Sequence, residues 1–249
     1  AILKTDGESI AQFGPYTLLR RLAFGGMGEV FLARRDSNIE ATLGVKAPGL
    51  ARLVVIKRIL NHMRRDDKHR RMFLDEARLQ TALRSAHIVQ IHDVGEADGM
   101  VFLAMEHVHG PSWRALIDRC RKNKQHLPVS YVVEMMIQAC DGLSYAHEQG
   151  VVHRDVKPDN VFLLEDGSVK LLDFGIAKLT TSTLTRQGDV LGSASYMSPE
   201  QVSGSESVDG RADIFSTGVV LYELLAGRKP FEGDSPTAVI VKILKDEPT

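Results

Sequence analysis

The sequence predicts an α+β chain in two lobes, a small antiparallel β-sheet with one main helix followed by a mostly helical half. Three observations predict it. Residues 16–105 read mainly as short β-branched runs broken by turn residues. The composition shifts after His109-Gly110-Pro111, a glycine–proline break suited to a hinge. Beyond that break, long segments carry apolar residues at helical spacing. The expected division is 14–108 for the first lobe and 109–249 for the second, with 1–13 as an N-terminal flank.

Each element follows from local signals. Tyr16 to Leu22 and Glu29 to Arg34 flank a glycine-rich turn, the signature of a hairpin. Residues 36–51 hold two glycines and a proline and read as a loop. Leu53 to Ile59 is a third strand. Asp66 to Arg84 is charged, with Phe73, Ala77, Leu79 and Leu83 at near-helical spacing. Ile88 to Val94 and Met100 to Met105 are two more strands, joined by a turn at Glu96-Ala97-Asp98-Gly99. Four helices follow: Ser112 to Lys122, Val129 to Gln149 stopped by Gly150, Asp209 to Ala226 closed by Gly227, and Ser235 to Lys245. Lys178 to Ser195 is rich in Thr, Ser and Gly without periodicity, a long loop of the functional or disordered kind.

The bulk numbers exclude several classes. With 249 residues, 43% hydrophobic and 25% charged, the chain is long enough to bury a substantial core. A net charge of −1 gives no global field for nucleic acid. Cys120 and Cys140 lack metal or redox spacing and fit a reducing compartment. No apolar run is long enough to span a bilayer, and residues 1–12 lack a basic, then apolar, leader. The segment is therefore expected in the cytoplasm without membrane contact of its own. Both ends read as cut from something longer, which leaves an anchor outside the segment open.

The chemistry concentrates in Val152-His153-Arg154-Asp155-Val156-Lys157-Pro158-Asp159-Asn160, followed by Asp173-Phe174-Gly175. Phosphoryl transfer needs a positioned nucleophile, a neutralised phosphate and metal ions, and little covalent help. Asp155 can accept or orient a hydroxyl proton, and Lys157 can neutralise the transferring group. Asn160 offers an amide oxygen and Asp173 a carboxylate to a hard cation. Capping aspartates in a polar loop are the bland alternative, but so dense a charged loop between apolar flanks exceeds what capping needs. His153 has no partner histidine at metal spacing and reads as packed in an apolar setting. Leu22-Ala23-Phe24-Gly25-Gly26-Met27-Gly28-Glu29-Val30 lets backbone N–H groups approach phosphate, although alone it is equally a hairpin turn. It is not a Walker A loop, since no Gly-Lys-Ser/Thr follows. Lys57, in the apolar strand Val54 to Lys57, suits a phosphate-binding ammonium if Glu76 orients it. Each of the two alone reads as a solvated charge.

Together these residues resemble a protein kinase of the Ser/Thr class, most similar to the bacterial eukaryotic-type members, from about Tyr16 to the end. A glycine-rich loop, strand lysine, helix glutamate, HRDxKxxN, DFG and Ser198-Pro199-Glu200 in the APE position occur in order. The resemblance implies the bilobal protein-kinase-like fold, with the second lobe stopping before its last helices. It implies ATP and Mg²⁺ as cofactors and Ser/Thr hydroxyls of proteins as acceptors. Lys57 would hold the α- and β-phosphates with Glu76 as its ion-pair partner. Asp155 would be the base, Lys157 the γ-phosphate lysine, and Asn160 and Asp173 the metal ligands. Leu22 to Gly28 would cover the nucleotide, Val30, Val55 and Phe162 would sandwich adenine, Met105 would be the gatekeeper, and Glu106 and Val108 would meet the adenine edge. Lys157 two residues after the aspartate is the Ser/Thr pattern rather than the Tyr pattern.

The resemblance also implies regulation. Arg154 marks kinases controlled by a loop phosphate, with Thr183 and Thr185 the best candidates among the loop hydroxyls and self-association the route to phosphorylation in trans. Ser193 would support the base, Glu200 would seek an arginine beyond the chain, and Asp213 would brace the catalytic loop. The sequence departs from the pattern at Ala23, where the first glycine is usual, at Gln80, where an apolar residue is usual, and at Val55, where alanine is commoner. Two other readings remain: a pseudokinase or nucleotide-binding scaffold, favoured by Ala23 and Gln80, and a small-molecule kinase, opposed by Lys157 and Ser198-Pro199-Glu200.

Overall fold

The computed structural model describes residues 11–24, 28–35, 52–59, 74, 77–174, 194–205 and 207–248. The chain divides into two compact units, Ala1–Thr81 with Gln90–His107, and Ala82–Val89 with Val108–Thr249.

The first unit is built on a six-stranded antiparallel sheet in the order β1-β2-β3-β4-β6-β5. Its strands are β1 (Ala11–Phe13), β2 (Tyr16–Phe24), β3 (Gly28–Arg35), β4 (Leu53–Ile59), β5 (Ile91–Ala97) and β6 (Met100–Glu106). β1 lies within the stretch read from sequence as flank, and pairs along β2 from Ala11–Leu18 to Phe13–Tyr16. The alternation of a half-buried strand sorts side chains to two faces. Phe31 and Ala33 of β3, Val54 and Ile56 of β4, and Phe102 and Ala104 of β6 form one apolar layer with Phe13, Tyr16 and Leu18. Phe13 and Tyr16 both meet Phe102 edge-on, at 5.4 and 5.5 Å between centroids. The Tyr16 hydroxyl donates to Asp93 Oδ2 at 3.0 Å. Burial, then that carboxylate, push the phenol up to about 12. Residues 77–82 are helical, inside the predicted helix, with Ala77 and Gln80 buried.

The second unit holds α1 (Trp113–Asn123), α2 (Val129–Glu148), the hairpin β7 (Val161–Leu163) with β8 (Val169–Leu171), the short α3 (Pro199–Val202), α4 (Gly210–Ala226) and α5 (Pro236–Lys245). The side-chain oxygens of Ser112, Asp209 and Ser235 cap α1, α4 and α5 by accepting from backbone N–H groups of the first turn. Gly227, at φ +70°, ends α4 in the left-handed conformation that suits glycine. Val132, Met135, Met136, Ala139, Leu143 and Ala146 form the buried stripe of α2 and pack in the unit's core with Val161, Val169, Leu171, Val219 and Leu224.

One difference from the sequence reading has a physical cause. The strand expected from Ile88 begins only at Ile91, because residues 87–89 pair elsewhere. Val89 N–H donates to Leu171 O at 2.9 Å, and Leu171 N–H to His87 O at 2.8 Å. Gly142 of α2 makes room for this: a Cβ there would sit 2.9 Å from Leu171 and 3.0 Å from His87. Gly110, where the sequence reading expects a hinge, has φ +154°, and an added Cβ would fall 1.9 Å from the Leu163 carbonyl oxygen. Only glycine lets the backbone run so close to β7.

Candidate active site

The loop after α2 is built inside out. Val151, His153 and Val156 are buried, which leaves Asp155 and Lys157 half-buried beside them. His153 is fully enclosed, with its ring 4.4 Å from that of Phe174. Its Nε2 lies 3.0 Å from the Leu172 carbonyl oxygen, an acceptor, so Nε2 carries the proton. The Asp155 N–H donates to Nδ1 at 3.3 Å. Both ring nitrogens are thus assigned to a neutral imidazole. Burial lowers its pKa, more than the nearby Asp213 and Asp155 raise it. His153 is a structural histidine that ties the loop to the Asp173 segment.

Asp213 of α4 braces the same loop from below. Its fully buried carboxylate accepts from the backbone N–H of His153 at 2.8 Å and of Arg154 at 2.7 Å, and His147 Nε2 donates to it at 2.7 Å. Arg154 adopts φ +63° and Asp173 φ +55°. A non-glycine residue there costs about 1–3 kcal/mol, and such strain persists only where surroundings over-determine it. For Arg154, Asp213 supplies that determination.

Three predicted residues meet on this scaffold. Lys157 Nζ lies 3.1 Å from Asp155 Oδ2. Asn160 Nδ2 donates to both the Asp155 carbonyl oxygen at 2.9 Å and Asp155 Oδ2 at 3.0 Å. With the amide hydrogens of Asn160 committed, its oxygen is the group left for a cation. Among the described residues no three His, Cys, Asp or Glu side chains cluster closely enough to hold a metal. Asn160 and Asp173 therefore fit a cation that brings most of its own ligands, as Mg²⁺ does with phosphates and water.

On the sheet of the first unit, register places several residues expected at the nucleotide on one face. Ala23 pairs with Val30, Val30 with Lys57, and Val55 with Met105. Side chains directly opposite share a face, and so do residues two apart on a strand. Ala23, Val30, Val55, Lys57 and Met105 thus lie together, opposite the Phe13 layer. Leu22 and Phe24 are exposed at the end of β2, Gly28 begins β3, and Phe162 lies on β7. The Glu106 N–H donates to Gln90 O at 2.9 Å, and its Oε1 accepts from Gln90 N–H at 2.8 Å. Val108 lies two residues past the end of β6. Gly25, Gly26, Met27, Glu76, Thr183, Thr185 and Ser193 lie outside the described residues. Glu200 sits in α3, opened by a capping box between Ser198 and Gln201.

Sequence reasoning missed the side chains that fasten these parts. Gln201 Nε2 donates to the Arg154 carbonyl oxygen at 2.9 Å, tying α3 to the catalytic loop. Glu223 of α4 is fully buried and accepts from Arg114 Nη1 at 3.1 Å, from Arg121 Nη2 at 2.9 Å and from the Tyr196 hydroxyl at 2.5 Å. Burial pushes the Glu223 carboxyl up, but these donors outweigh it and hold it below the ordinary range. Arg114 also donates to Tyr196 and lies 3.8 Å from Asp159 Oδ2. The signal for Glu223 was present: one acid in the apolar run Gly218 to Ala226.

An antiparallel sheet with a lysine in its third main strand, followed by a helical unit that carries an HRD loop braced from α4, is the protein-kinase fold. The protein kinase domain family model matches residues 16–247, and the chain belongs to that family. It is 42% identical over 244 residues to the tyrosine-protein kinase MasK of Myxococcus xanthus, covering 94% of this chain and 36% of that protein. It is 36% identical to the serine/threonine-protein kinase PknB of Mycobacterium leprae, covering 94% of this chain and 36% of that one. The chain thus spans about a third of the length of these curated relatives. A crystal structure of the Mycobacterium tuberculosis PknI kinase domain superposes with a TM-score of 0.66 at 31% identity, over 92% of this chain and 80% of that one. Among the described residues no helix is long and apolar enough to cross a membrane.

Proposed function

We propose that this chain is the catalytic domain of a protein Ser/Thr kinase that moves the γ-phosphoryl group of ATP to a protein hydroxyl. The observation that carries the reading is the constellation of Asp155, Lys157 and Asn160, with Lys157 Nζ and Asn160 Nδ2 each within 3.1 Å of Asp155 Oδ2, on a loop that Asp213 fixes. Mg²⁺, held by Asn160 and Asp173, would neutralise charge on the nucleotide phosphates when bound. Asp155 orients the acceptor hydroxyl and takes its proton. The hydroxyl oxygen forms the new bond to phosphorus as the bond to the ADP oxygen breaks. Lys157, already beside Asp155, is placed to meet the charge of the transferring group. Lys57, on the sheet face it shares with Val30, Val55 and Met105, would hold the inner phosphates.

The loop residues suggest self-activation. The Arg154 Nε is buried without a hydrogen-bond partner, and burial lowers the group's pKa. A phosphate on Thr183 or Thr185, added by a second copy, would give that guanidinium its anion. The scaffold reading rests on Ala23 and on the buried Gln80.

The test is incubation of the full chain with Mg²⁺ and ATP labelled at the γ-phosphate, with a protein acceptor, followed by phosphoamino-acid analysis. Phosphoserine and phosphothreonine are expected. Phosphotyrosine alone would overturn the Ser/Thr assignment, a sharp outcome because one relative is named a tyrosine kinase. No transfer, with nucleotide still bound, would establish the scaffold.

A further inference from the structure

The end of α1 carries a concentration of positive charge that the catalytic site does not use. Arg119, Arg121, Lys122 and Lys124 follow one another with no acid between them, in a chain whose net charge is −1. All four are exposed, as is Arg228 just past the end of α4. A helix C-terminus attracts cations to its own dipole. That accounts for Arg121, which donates from Nε to the Gly227 carbonyl oxygen at 3.0 Å and pairs with Glu223. It does not account for Lys124, which lies beyond the helix.

Two of these cations, Arg121 and Lys124, border an opening. A cleft of about 240 Å³ lies between the end of α1 and the end of α4, lined by Arg121, Lys124 and His126 and by the apolar Ile117, Leu127 and Leu224. It is smaller than the roughly 300–1,000 Å³ of sites for cofactors and drug-sized ligands. The one acid in it, Glu223, is already matched by Arg114, Arg121 and Tyr196. The lining therefore offers net positive charge around a small apolar floor. Glu223 connects this cleft to the Arg114 network, while Lys124, Gln125 and His126 line it past the end of α1.

We propose that this cleft is a docking site for an acidic peptide segment of a partner protein, seated by one aliphatic side chain. Opposite charge supplies steering and register, and the apolar floor supplies selection for a side chain over a bare polyanion. A nucleic acid strand or an anionic membrane would use the charge and ignore the floor. The site stands independently of the catalytic reading, because binding is measured without nucleotide or turnover.

The probe is a fluorescein-labelled peptide, Glu-Glu-Asp-Leu-Glu-Asp-Glu, followed by fluorescence anisotropy against the full chain. Three comparisons accompany it: the same peptide with serine in place of leucine, its Gln/Asn counterpart, and a short oligouridylate. The protein variant is Lys122→Glu with Lys124→Asn, since asparagine tolerates the left-handed backbone of position 124. Lys122→Gln alone is the milder second variant. Saturable binding is expected, weakened about tenfold by loss of the leucine, lost in the Gln/Asn peptide and reduced several-fold in both variants, with unchanged circular dichroism. Equal affinity for the serine peptide or the oligouridylate would overturn the peptide assignment. So would undiminished binding by the variants, or no binding at all. A concentration-dependent dimer that the double variant abolishes would make the occupant a second copy of this chain and overturn the assignment as well.

Discussion

The two ends of α4 each bury a carboxylate, and they use it differently. At the N-terminal end Asp213 accepts from two consecutive backbone N–H groups and one histidine. At the C-terminal end Glu223 accepts from two arginines and a tyrosine hydroxyl, drawn from α1 and the segment before α3. The first arrangement fixes backbone dihedrals, including the left-handed Arg154, and so sets where Asp155 points. The second fixes packing between elements, and its Arg114 approaches Asp159 of the catalytic loop at 3.8 Å. One helix therefore carries a device for geometry at one end and a device for cohesion at the other.

Substitutions separate the two. Asp213→Ala removes the acceptor for two buried amides and releases strain at Arg154. It should lower kcat about 10²-fold, the usual result of a shift of an ångström at the site, with KM for ATP little changed. Steady-state kinetics would show it. An unchanged kcat would mean that the loop holds its shape without α4. Arg114→Met leaves Glu223 buried with a reduced counter-charge and should destabilise by about 3–5 kcal/mol, seen in urea unfolding, while kcat falls less than for Asp213→Ala. If kcat falls equally, the separation of geometry from cohesion fails.

Acid sharpens the contrast further. Glu223 has its pKa lowered in the fold, after burial and its donors are combined. Its contribution to stability is therefore complete above the unfolded value of about 4.3 and disappears as pH falls through the lower native value. Melting midpoints of the wild type and of Glu223→Gln should converge as pH drops below about 4. A gap that stays constant with pH would contradict the ionised state assigned to Glu223. The smallest effect belongs to the exposed pair of Arg211 and Asp209, 2.9 Å apart at the start of α4. Arg211→Ala should leave the melting midpoint within error.

The same contrast shows what was legible in the sequence. Asp155, Lys157, Asn160 and the Asp213 helix carry short-range motifs, because a catalytic loop needs fixed residue types at fixed spacing. The long helices were legible from their apolar period and their caps, as in Val129–Glu148. Glu223 stands out in the sequence as one acid in an apolar run, but its role does not, because its partners Arg114, Arg121 and Tyr196 come from segments that only the fold brings together. β7 and β8, of three residues each, are too short to show a period. Ile88 looked like the start of a strand because β-branching reports burial and not partner, and its neighbours pair with Leu171.

The most direct test of the account is phosphoryl transfer by the full chain beside Asp155→Asn, with nucleotide affinity measured on both. The account predicts that the variant binds Mg²⁺ and ATP as the wild type does and transfers about 10²–10⁴-fold more slowly. A variant that transfers at the wild-type rate would contradict the role of Asp155 and with it the site built around that residue.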